Sequence, residues 1–171
     1  MEGMLITGSK TILHNTLRCV ERAGLEIQDI VLQPLAAGSY ALSKDEKHLG
    51  VALVDIGGGS TTISVFEQGD LVATSMLPVG GDHITKDLSV GLRISMEDAE
   101  KIKIKHGYAF YDRASEDEVF RVPVIGSNQF QQITQLELAD IMEARIEEIF
   151  ELAINEIRQM GIYDLPGGYV L

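Results

Sequence analysis

The sequence predicts an α/β fold, and three observations carry that expectation. Apolar, strand-like runs at Gly50–Ile56, Thr61–Glu67 and Leu71–Leu77 follow one another closely, separated only by glycine-containing turns. Residues 134–160 place Leu138, Met142, Ile146, Ile149, Ala153, Ile157 and Met160 on one helical face, with most of the acids opposite. With 171 residues, 45% of them hydrophobic, the chain can bury a real core in one domain or two small subdomains.

Taken in order, Thr11–Ala23 reads as a helix, with Ile12, Leu13, Leu17 and Val20 at helical spacing and Gly24 as its C-terminal cap. A short strand is expected at Ile27–Leu32, stopped by Pro34. The small, apolar stretch 35–42 reads as a short, tightly packed helix, and Ser43–His48 as a charged surface loop. The run 50–56 is apolar almost throughout, which suits a central strand buried on both faces. Gly57-Gly58-Gly59-Ser60 and Gln68-Gly69-Asp70 supply the two hairpin turns. Gly80-Gly81-Asp82 opens a helix to about Val90. Ser95 and Asp98 make a capping pattern for a second helix ending near His106-Gly107. Residues 108–117 are polar and irregular. Val119–Ile125 reads as a strand confined to an edge by Pro123. Thr134, answered by Glu137, caps the long helix that ends at Gly161, and 165–171 begins a final strand. That last strand and the one at 27–32 have no evident partner segment, so the chain reads as a fragment.

Composition excludes several functions. There are 14 Lys and Arg against 26 Asp and Glu, a formal charge of −12. A phosphate backbone or anionic membrane would be repelled over most of such a surface, so no nucleic-acid partner is expected. A small phosphate ligand held by local backbone N–H groups stays possible. The one cysteine, Cys19, excludes an internal disulfide and a cysteine-based zinc site, and fits a reducing cytoplasm. His14, His48, His83 and His106 are scattered without ligand spacing. No apolar run reaches the roughly 18 residues of a membrane span, and neither a signal peptide nor a basic amphipathic terminal helix is evident.

The chemistry concentrates in Val54-Asp55-Ile56-Gly57-Gly58-Gly59-Ser60-Thr61. A buried strand delivers a carboxylate to its end, and a bend without Cβ atoms follows. Such a bend can present several N–H groups to phosphate oxygens. Ser60 and Thr61 add hydroxyl donors, and Asp55 is placed to hold a hydrated magnesium ion. A plain hairpin with a surface aspartate is the alternative. Three glycines exceed the needs of a two-residue turn, and an aspartate in an apolar strand is costly without a role. Gly80-Gly81, between a strand and a helix, is either a second anion site at a helix N-terminus or an ordinary turn.

The stretch Asp55–Thr61 resembles the second phosphate motif of the actin-like ATPases. Gln33-Pro34-Leu35-Ala36-Ala37-Gly38 resembles their interdomain hinge helix, Gly80-Gly81-Asp82 the glycine pair after the third strand, and Gly167–Leu171 the start of the adenosine motif. Within that superfamily the sequence is most similar to the FtsA family of bacterial division proteins, leaning to its Firmicute branch. Thr11-Ile12-Leu13, Cys19–Leu25, Pro78–Thr85 and Glu143-Ala144-Arg145 carry this likeness.

The resemblance implies part of an actin-like (RNase H-like) ATPase domain, with a mixed sheet, flanking helices and a small inserted subdomain. Residues 1–42 would end a first lobe and form the hinge helix. Residues 43–90 and 133–171 would form subdomain 2A, and 91–132 the inserted 2B. It implies ATP and Mg as cofactors, with Gly57, Gly58, Gly59, Ser60, Thr61, Gly80 and Gly81 at the phosphates and Asp55 at the metal through water. Glu100 and Lys103 would meet the ribose and adenine, unless they are a solvated helix face. Arg145, with Glu148 one turn on, would meet the C-terminal tail of FtsZ, unless Arg145 merely pairs with Glu148 or nearby carboxylates.

Further expected partners are other copies of the protein, in actin-like filaments, and later division proteins. The protein would work at the cytoplasmic face of the membrane at the division site, attached through a segment not in this sequence. The family's first phosphate loop, its subdomain 1C, the end of its adenosine motif and its C-terminal membrane helix do not appear here. Half a clamp should therefore bind nucleotide weakly or not at all, and turnover by the whole protein would be slow or incidental. A metabolic kinase of the same superfold, or a scaffold without nucleotide, are the other readings.

Overall fold

The structure, a computed structural model, describes residues 5–127 and 129–171; residues 1–4 and 128 of the expected subdomain ranges lie outside them. Its centre is a four-stranded mixed sheet in the order β3-β2-β1-β6. The strands β1 (Val51–Ile56), β2 (Thr61–Glu67) and β3 (Asp70–Leu77) form an antiparallel meander, and β6 (Tyr169–Val170) adds parallel to β1. The α/β class and the mixed sheet are thus as expected.

The buried run in β1 has its cause in two covered faces. Val51 and Leu53 pack with Leu42 and Phe66, on the side of helix α2 (Gln33–Ala41). Ala52 and Val54 pack with Ile63, Val65, Ala153 and Ile157, under the C-terminal half of α6 (Gln135–Gln159). A third cluster joins Ile84 and Leu88 of α4 (Gly81–Leu92), Ala99 and Ile102 of α5 (Met96–His106), and Leu138 and Met142 of α6. Val122 of β4 (Val119–Pro123) and Ile133 of β5 (Phe130–Thr134) close it. One long helix therefore backs both the main sheet and the small β4–β5 ribbon.

Four expectations need correction. Residues 27–32 are extended but form no strand, because no described segment offers them a ladder. The supposed loop 43–48 is helix α3 (Lys44–Leu49), started by a capping box. The Ser43 hydroxyl accepts from the Glu46 N–H at 3.2 Å, and Glu46 Oε2 accepts from the Ser43 N–H at 2.7 Å. Strand β5 was not foreseen, since only Ile133 of its five residues is buried. The final strand does have a partner in this chain, β1. Its approach is tight, as a Cβ on Gly167 would lie 2.7 Å from the Gly50 carbonyl oxygen. The first helix, α1 (Lys10–Arg22), forms where its spacing and the Ser9 cap place it, with none of its residues buried.

Candidate functional site

The β1–β2 bend and the β3–α4 corner are in direct backbone contact. The Gly81 N–H donates to the Gly57 oxygen at 2.9 Å, and the Asp82 N–H to the Gly58 oxygen at 2.8 Å. A Cβ on Gly80 would sit 2.4 Å from the Gly57 oxygen and 2.6 Å from the Gly58 oxygen, so no larger residue fits without moving backbone. Thr61, fully buried, donates its hydroxyl to the Val79 oxygen at 2.8 Å and fastens the two bends from below.

These contacts decide which groups can meet an anion. The first orphan donors of α4 are already taken, because the bend turns its carbonyls towards the helix N-terminus. The Gly80 N–H is taken too, by His83 Nδ1 at 3.2 Å. The expected anion site at Gly80-Gly81 therefore has its amides committed to the hairpin and to His83, and Thr61 offers no free hydroxyl. The bend itself is different. The Gly57 N–H closes the turn onto the Ser60 oxygen at 2.9 Å, whereas those of Gly58, Gly59 and Ser60 have no acceptor among the described residues. Gly58 and Gly59 are exposed and Ser60 half-buried.

The same contacts aim the free donors. In a trans peptide the C=O and the following N–H point in opposite directions. Pinning the Gly57 and Gly58 oxygens against α4 therefore turns the N–H groups of Gly58 and Gly59 away from α4. Two adjacent amides in an exposed glycine bend form a cradle for phosphate oxygens. A Cβ on Gly58 would lie 3.2 Å from the Asp82 carboxylate, which marks how little room that side of the bend leaves.

Asp55 stands half-buried near the end of β1, where the Gln33 side-chain amide of α2 donates to its Oδ2. An open cleft of about 370 Å³ lies beside it, lined by Ala37, Tyr40, Ala41, Leu53, Asp55 and Leu171 among others. Among the described residues no group of three or more His, Cys, Asp or Glu could hold a metal ion. A magnesium ion at Asp55 would thus complete its shell with water and phosphate oxygens, the usual habit of this small, strongly hydrated cation.

Glu100 and Lys103, one turn apart on α5, meet the corner from its other side. Lys103 Nζ donates to the Gly81 oxygen at 3.1 Å and to Thr85 Oγ1 at 2.7 Å, and pairs with Glu100 Oε2 at 2.7 Å. The Thr85 hydroxyl donates to Glu100. The hydrogen bond from Lys103, then that from Thr85, holds the Glu100 carboxyl below the usual carboxylate range.

Arg145 is firmly held. Its Nε and Nη2 grip Asp87 of α4 at 2.6 and 3.1 Å, and its Nη1 donates to Glu148. The hydrogen bond to Asp87, then the nearby carboxylate charges, raise the guanidinium pKa above its ordinary value. The pair borders a groove of about 420 Å³ between α4 and α6, with Asp140, Ile141 and Ala144.

The structure thus gathers Asp55, Gly57–Ser60, Gly80, Gly81, Glu100 and Lys103 around the two bends, and leaves Arg145 and Glu148 in a separate groove. Sequence reasoning missed Gln33, Thr85 and Asp87 as partners. Gln33 and Thr85 stood inside stretches already singled out. Asp87 lies 58 residues from Arg145, and no local spacing pointed to it.

Comparisons with known proteins bear on the family and the fold. The family model described as "Cell division protein FtsA" matches residues 52–167. The cell division protein FtsA of Bacillus subtilis is 68% identical over 171 residues, all of this chain and 39% of the relative. That of Neisseria meningitidis is 45% identical over 157 residues, 92% of this chain and 38% of the relative. The chain therefore spans well under half the length of these curated relatives. Among solved structures, MreB 5 of Spiroplasma citri bound to AMPPNP superposes with a TM-score of 0.61 at 18% identity, over 91% of this chain and 53% of that one. Its likeness speaks for the fold, and the family match covers most of the sequence around both bends: the chain belongs to the FtsA family and carries part of an actin-like ATPase fold.

Proposed function

We propose that the protein carrying this chain binds MgATP between two lobes and that this chain supplies one side of the cleft. The observation that carries the reading is the pair of exposed, acceptor-free amides at Gly58 and Gly59, aimed by the contacts of Gly57 and Gly58 with α4. Ser60 adds a third amide, Asp55 holds the hydrated magnesium, and Glu100, steadied by Lys103, meets the ribose and adenine. In this reading residues 43–90 and 133–171 act as subdomain 2A and 91–132 as subdomain 2B.

The protein links FtsZ filaments to the cytoplasmic face of the membrane, assembles with its own copies, and helps recruit later division proteins. ATP serves to lock the lobes, so rapid hydrolysis is not required. The C-terminal tail of FtsZ docks in the α4–α6 groove, where Arg145 exchanges one of its two carboxylate partners for a group on the tail. Among the described residues no helix is long and apolar enough to cross a membrane.

The test is recruitment of FtsZ to lipid vesicles by the full-length protein, with and without MgATP, alongside calorimetric titration with MgATP. ATP-dependent recruitment is expected, weakened by Arg145→Ala. No MgATP binding would overturn the nucleotide reading, and recruitment indifferent to Arg145→Ala would remove that residue from the docking site.

A further inference from the structure

We propose that Thr85 is a positioning residue for nucleotide binding, setting the aim of the phosphate-bend amides through Lys103 without touching the ligand. The inference rests on the nucleotide reading above. Thr85 is buried on α4, one turn past the glycine corner. Its hydroxyl has one hydrogen to donate and lone pairs to accept with. It lies 3.2 Å from the Gly81 oxygen, gives its hydrogen to the nearer Glu100 carboxylate and accepts from Lys103 Nζ at 2.7 Å, so it borders the Gly81 carbonyl both directly and through Lys103. Lys103 carries three N–H donors, and they are spent on Thr85, Glu100 and the Gly81 oxygen. The side chain is only 16% exposed, so the ammonium is fixed rather than free in solvent.

The consequence lies in the peptide between Gly81 and Asp82. Its C=O accepts from Lys103 at 3.1 Å, and its N–H donates to the Gly58 oxygen at 2.8 Å. A cation on the oxygen polarises the amide and strengthens the bond made by its N–H. The Gly58 oxygen belongs in turn to the peptide whose N–H is that of Gly59, one of the free donors of the bend. A continuous line of hydrogen bonds therefore runs from Glu100 and Thr85 through Lys103 and one α4 peptide to the group that would meet phosphate. A positive charge beside the first turn of a helix opposes the helix dipole. The companion carboxylate, Glu100, lets the charge stay there.

The test measures MgATP affinity of the full-length protein and of Thr85→Val, Thr85→Ser, Lys103→Met and the Thr85→Val/Lys103→Met double variant. A buried hydrogen bond to a charged group is worth about a tenfold change in an equilibrium. Thr85→Val and Lys103→Met should each weaken binding about tenfold, and Thr85→Ser, which keeps the hydroxyl, should stay within about twofold of wild type. Because both act through one line, the double variant should be no more than about twofold weaker than either single one. Hydrogen exchange of the Gly81 and Asp82 amides, without nucleotide, should quicken in Thr85→Val. Wild-type affinity in Thr85→Val, losses that multiply in the double variant, or unchanged exchange would each overturn the proposal while leaving the nucleotide reading in place. Absence of MgATP binding by the wild type would overturn both.

Discussion

Gly80 has less freedom to vary than the three glycines of the bend it supports. Its missing Cβ would collide with two backbone oxygens of Gly57 and Gly58, and backbone cannot swing aside as a side chain can. A Cβ on Gly59 would meet nothing within 4 Å. Gly80→Ala should therefore lower stability by roughly 1–3 kcal/mol, as an overpacked contact does. Gly59→Ala should leave the urea midpoint close to wild type. Equal loss in both variants would mean that the contact between the two bends is not what the stability depends on. Glu100 yields a second prediction. Its carboxyl titrates below the ordinary range in the folded chain because Lys103 and Thr85 hold the charged form. The folded state then binds fewer protons than the unfolded one across that interval, so the contribution is present above the unfolded carboxylate pKa and is lost as pH falls through the folded value. Glu100→Gln should reduce the decline in urea midpoint between neutral and acid pH; an identical pH profile would disprove the linkage. Of these residues, the glycines, Glu100 and Lys103 were legible in the sequence as a pattern and a resemblance. Their hydrogen-bond partners were not, because Thr85 meets Lys103 across 18 residues and Gly81 meets Gly57 across a strand hairpin.

Elements were legible where local chemistry and burial agree. Helix α6 shows both, with an apolar stripe along its length and a reciprocal cap at its start, where the Thr134 hydroxyl accepts from the Glu137 N–H at 3.1 Å. Thr134→Ala removes that acceptor and should cost about 1 kcal/mol, read as a shift of the urea midpoint at unchanged slope. A midpoint equal to wild type would mean that water replaces the cap at no cost. Where the two signals part, the sequence misleads. Residues 27–32 carry Ile27, Ile30, Val31 and Leu32, a good strand composition, yet a strand exists only when paired. In β5, Phe-Gln-Gln-Ile-Thr is short and polar at its centre, without a clear apolar alternation, yet it pairs along its length with β4 because Ile133 completes the third core cluster. In α3 the cap was present as Ser43-Lys44-Asp45-Glu46, but five charged and polar residues before Leu49 hid a helix that buries none of its own side chains.

At the scale of the whole molecule, stability is distributed unevenly. The sheet, α4, α5 and α6 share three apolar clusters; α6 enters two of them, and the third lies on the opposite face of the sheet. Helix α1 belongs to none of them. Ile12 and Leu13 on its apolar stripe are exposed, as are Leu25, Ile30 and Val31 in the segment that follows. A 13-residue helix has little stability of its own in water, since the cost of nucleation is spread over few hydrogen bonds. The amides of α1 should therefore exchange with solvent near the rate of an unfolded chain, even with Ser9 as cap. Those of β1 and β2 should open only with global unfolding, because both faces of β1 are covered and β2 is paired on both edges. Hydrogen exchange on this chain separates the two regimes directly. Protection of α1 comparable to that of β2 would mean that its apolar stripe is covered in solution, and the picture of a core centred on α6 would have to be enlarged to include it.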